Sequence, residues 1–147
     1  MTVRILFQLL ALLMPVIAVA REAVANAVEV TGGATIALVL AEQVPKRATL
    51  IIHCVHAAPA GSPIYQVSLK DAHGHIVPVG LINFFNASAP HATEKEPWRF
   101  DATAALSQLT GKPVAVEIKP ISGVVGVAPT IAPGSRVTVE RVELISR

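Results

Sequence analysis

Residues 113–119 read Pro113-Val114-Ala115-Val116-Glu117-Ile118-Lys119. Val114, Val116 and Ile118 fall on one parity, Glu117 and Lys119 on the other. Successive side chains of a strand point to opposite faces, so this alternation predicts a strand with one face on a core and one in water. The same period recurs in the segments before it. Residues 64–70 put Tyr65, Val67 and Leu69 inward and Gln66, Ser68 and Lys70 outward, and residues 35–40 bring Ile36, Leu38 and Leu40 together. In residues 48–55, Leu50, Ile52 and Cys54 share a face opposite Ile51 and His53. The longer apolar run 76–85 predicts a central strand.

The last segment breaks its own rhythm. Val137 and Val139 lie on one parity, Val142 and Leu144 on the other. A regular strand cannot bury both pairs on one face, so a bulge or sharp bend is expected near Glu140-Arg141. One helix is expected after Asp101, a residue type that caps free backbone N–H groups. Ala102, Ala105, Leu106 and Leu109 recur there at helical spacing, and Thr110-Gly111 closes the segment. Residues 57–63, 71–75, 86–97 and 122–134 carry the turn and loop composition, the last being rich in Gly and Pro. The fold class is all-β: an antiparallel β-sandwich of about seven to eight strands with one short helix plugging an end.

The start of the chain is different in kind. Arg4 precedes an apolar run from Ile5 to Val19, which ends in Ala18-Val19-Ala20. A basic start, an apolar stretch and a small-x-small exit describe an export signal cut before Arg21. A second small-residue exit, Ala25-Asn26-Ala27, leaves a later cut open. The run is shorter than the roughly 20 apolar residues of a spanning helix and contains Pro15, which argues against an uncleaved anchor. The organisation expected is a signal peptide over 1–20, an N-terminal segment over 21–34 and a sandwich domain over 35–147. The protein is expected to be secreted or periplasmic, with no membrane association beyond the signal.

Charge and cysteine usage narrow the function classes. Without Arg4, eleven of the twelve basic residues face ten acidic ones, and they are scattered. That balance excludes an electrostatic nucleic-acid binder. Cys54 is the single cysteine, so no intrachain disulfide can form.

No GxSxG, HExxH or CxxC motif occurs, and no catalytic residue is assigned; the chain is not expected to be an enzyme. The metal candidates are His53, Cys54 and His56. On a strand Cys54 and His56 share a face while His53 points away. Two ligands are too few for a closed zinc site, whereas a thiolate with an imidazole suits copper(I). The competing reading makes Cys54 a small core residue with histidines at the strand end. His73 and His75 fall in a turn around Gly74. Phe84, Phe85 and Trp98 bracket the loop 86–97, which contains His91.

The ordered stretches also carry a resemblance. Tyr65-Gln66-Val67-Ser68-Leu69 is followed by Gly80-Leu81-Ile82-Asn83-Phe84-Phe85, a polar loop with His91, then Phe100-Asp101-Ala102-Thr103, residues 114–119 and residues 137–145. This order resembles the C-terminal β-sandwich domain of bacterial tyrosinases and plant polyphenol oxidases across residues 35–145. In that family the domain covers the entrance of a dicopper catalytic domain, and this chain lacks that catalytic half. The resemblance therefore implies a free-standing covering domain, with no bound cofactor and with copper reached only through a partner enzyme. Its implied partner is a separately encoded tyrosinase-like copper oxidase, contacted through the loop 86–97 with Phe84, Phe85, His91 and Trp98. Two other expectations stand beside it: a periplasmic copper carrier using Cys54, His53 and His56, and a generic extracellular binding module.

Overall fold

The computed structural model describes residues 21–38, 47–58, 64–83 and 97–146. Eight strands among them form two four-stranded antiparallel sheets, with one helix. In chain order these are β1 (Arg21–Glu29), β2 (Ala34–Leu38), β3 (Ala48–Ala58), β4 (Ile64–Lys70), β5 (Ile76–Ile82), β6 (Trp98–Asp101), α1 (Thr103–Gln108), β7 (Val114–Ile121) and β8 (Arg136–Ser146). One sheet runs β1-β8-β3-β6 and the other β2-β7-β4-β5. The molecule is an all-β sandwich, and β1 brings residues 21–29 of the N-terminal segment into it.

The alternation works as its parity predicts. Tyr65, Val67 and Leu69 of β4 and Val116 and Ile118 of β7 are fully buried. They meet Leu50, Ile52, Val137 and Val142 of the other sheet in one apolar core. On the outward side Glu117 departs from the solvated position expected for it and is 6% exposed. It lies between Thr35 and Ser68 of the flanking strands, and Lys119 Nζ closes over it at 2.9 Å.

The run from Ile76 is an edge strand, not a central one. Pro78 explains the correction, because it has no N–H to give a second neighbour and proline is confined to sheet edges and bulges. Opposite it β4 and β5 shift register at Val67/Ser68. Gly80 there is covered by the ring of Phe100 on β6, with no room for a Cβ. This contact joins the edge strands of the two sheets on one side, and the turn from β1 to β2 joins them on the other.

The irregularity expected near Glu140-Arg141 is present, and two strands share it. Leu50 and Ile52 pair with Leu144 and Val142, while Val55 pairs with Val139, and all six belong to the core. Both β3 and β8 thus exchange their inward parity between these pairs while keeping one register, and Val55 takes the core position after Ile52. On the other side of β8, β1 shifts register between Ala25 and Val28.

The helix comes where its spacing placed it: Ala102, Ala105, Leu106 and Leu109 are all buried. Asp101 Oδ1 accepts the Thr103 N–H at 2.9 Å, and Ala102 rather than Asp101 is the residue at the helix boundary. The helix is fastened to β3, since Ala102 N–H donates to the Ala48 carbonyl and Ala48 N–H to Thr103 Oγ1.

Candidate functional site

The register places the strand ends, the start of β6 excepted, at two poles. One pole gathers the ends of β1, β3, β5 and β7 and the starts of β2, β4 and β8, while the short β6 starts opposite Ile52 in the middle of β3. The other holds α1 and the turn 71–75.

The helix pole is a structural knot around Asp71. This carboxylate is 4% exposed and accepts four backbone N–H bonds. Its Oδ1 takes those of His73 and His75 at 2.9 Å, and its Oδ2 those of Thr110 and Gly111 at 3.3 and 3.2 Å. Burial pushes the Asp71 carboxyl up, but these bonds outweigh it and hold the group below the usual carboxylate range. His73 lies so close to Gly111 that a Cβ there would meet its ring. The histidines expected in a turn around Gly74, which has φ +84°, are in that turn and serve it. A groove nearby is lined by Arg47, Thr49, Arg99, Asp101 and Thr103. The Thr103 hydroxyl and N–H, aided by the Arg47 charge, hold Asp101 below its ordinary value.

His53 sits mid-sheet, on the face turned away from the core. Its Nε2 is 3.1 Å from Glu143 Oε2 and 3.4 Å from Arg141 Nη2. Arg141 Nη2 is also 3.0 Å from Glu143 Oε1, whose side chain is only 4% exposed. A protonated Nε2 donates to the carboxylate and a bare one accepts from the guanidinium, so this nitrogen is engaged in either tautomer. A metal ion at Nε2 would sit beside a permanent cation. Among the described residues no group of three His, Cys, Asp or Glu side chains could hold a metal. Cys54 and His56 belong to β3, but their side chains lie outside the described ones. The Glu143–Arg141 arrangement escaped the sequence reading, although its i, i+2 spacing on β8 was a visible signal.

The opposite pole is where apolar surface meets solvent. Val124, Val125 and Val127 of the β7–β8 loop are exposed, Val125 completely. With Ile64, Leu81, Pro120, Ile121 and Pro129 they line a groove that carries no charged side chain. Ser122 organises the loop. Its Oγ lies 2.6 Å from the carbonyls of both Val124 and Val127, and its one proton serves one of them at a time. Val127 N–H closes a turn on the Val124 carbonyl, with Gly126 at φ +78°. Trp98, at the start of β6, is partly exposed. Phe84, Phe85 and His91 lie outside the described residues. Asn83, directly after Ile82 at the end of β5, fixes where that segment departs at this pole, and it returns at Trp98, which pairs with Ile52 in the middle of β3.

No family model, no curated protein and no solved structure matches this chain.

Proposed function

We propose that this protein is a non-catalytic, exported accessory subunit that docks on a separately made partner through its apolar pole. One observation carries the reading. The loop 122–131 holds three valines in water in one groove with Leu81, next to the end of β5 from which the segment 84–97 departs. A surface without charge, held in shape by its own hydrogen bonds, suits burial against another protein, because no ion must be desolvated.

The order of the motifs makes a tyrosinase-like dicopper oxidase the partner to test first. Such a subunit would cover the enzyme's entrance or accompany it during copper loading, and any copper would belong to the enzyme. Co-expression with a tyrosinase-like enzyme lacking its own covering domain tests this. A complex that survives gel filtration, with lowered oxidase activity until the subunit is removed, is the expected result. Full activity with no complex overturns the reading.

A further inference from the structure

We infer that export processing leaves Arg21 as the first residue of the mature chain, and that a cut at the second exit, after Ala27, is incompatible with the folded sandwich. The inference rests on the export reading and decides between the two exits that the sequence leaves open.

The argument is the register of β1. Arg21, Glu22, Ala23, Val24 and Ala25 pair in succession with Ile145, Leu144, Glu143, Val142 and Arg141 of β8. Only Val28 and Glu29 continue the pairing beyond the register shift, with Val139 and Thr138. A cut before Arg21 keeps all seven of the pairs found among the described residues. A cut after Ala27 deletes the first five and leaves two.

The loss falls on a strand that cannot spare it. β8 is an interior strand, flanked by β3 on its other side, and it contributes Val142 and Leu144 to the core. Without residues 21–25, backbone N–H and C=O groups from Arg141 to Ile145 would face water along one edge. An open edge of this kind, with its backbone groups unpaired, is a template for pairing with another chain. β1 is also the only described strand on that side of β8, so no neighbour can take its place.

The N-terminus of the protein recovered from the periplasm or medium, read by intact mass and N-terminal sequencing, tests this. Arg21 at the start is the expected result. Val28 at the start of an exported monomer overturns the inference but keeps the export reading, whereas a chain that retains residues 1–20 overturns both. A second measurement compares directly produced chains 21–147 and 28–147. The first is expected to be monomeric with a cooperative melt. The second is expected to form dimers and larger species or to lose the melt, and an unchanged monomer with an unchanged melt would count against the inference.

Discussion

The ring of Phe100 occupies the space that a side chain on Gly80 would need, and so ties the edge strand of one sheet to the edge strand of the other. Gly80→Ala should therefore act as overpacking, with a cost of about 1–3 kcal/mol. At roughly 4 °C per kcal/mol the melting temperature should fall by several degrees. The double variant Gly80→Ala, Phe100→Leu should recover part of that loss in a double-mutant cycle. Strictly additive losses would show that the two residues are not coupled.

The carboxylate of Asp71 should make stability depend on pH on the acid side. Its folded pKa is lowered, so its contribution is present above the unfolded value of about 4 and is lost as pH falls through the folded value. Asp101, also lowered, adds in the same direction. Urea melts between pH 2 and 6 should show the wild-type chain losing stability as the medium is acidified. Asp71→Asn turns an acceptor oxygen into a donor facing an N–H, so it should be less stable at pH 6, with the gap closing toward pH 2.

At the outward face of β8, removal of Arg141 should hurt more than removal of His53. Arg141→Ala removes a guanidinium that lies 3.0 Å from the buried Glu143 carboxylate, at a cost of about 2 kcal/mol. His53→Ala leaves the Arg141–Glu143 pair in place and should cost less. Denaturant unfolding of the two variants checks the order. Copper titration of His53→Ala against wild type should show equal affinity, because Nε2 is already engaged by Glu143 and Arg141.

Val125 is fully exposed, so Val125→Asp should leave stability within about 0.5 kcal/mol of wild type. The same change puts a charge into a groove that has none, and should weaken capture of the partner at least tenfold. Isothermal titration with the partner and a thermal melt of the free subunit separate the two effects.

Local alternation determined most of this architecture. Period-2 patterning in 64–70 and 113–119 named the residues that fill the core, and the helical spacing of Ala102, Ala105, Leu106 and Leu109 named the four that the helix region buries. The parity break in 137–145 showed that the last strand must be irregular. These features are legible because each depends on residues within a few positions of one another. What a pattern cannot convey is which strands become neighbours. That β5 lies at an edge, that Phe100 lies on Gly80 and that Asp71 holds together segments 40 residues apart are decided by pairing between distant segments. The site divides in the same way. The composition of 122–134 marked a loop, but only the tertiary structure brings its valines into one groove with Leu81, near the departure point of the segment 84–97. Only the β3–β8 register brings His53 beside Glu143 and Arg141. A strand's period reports which face a side chain takes; its neighbours are set by the free energy of the whole core.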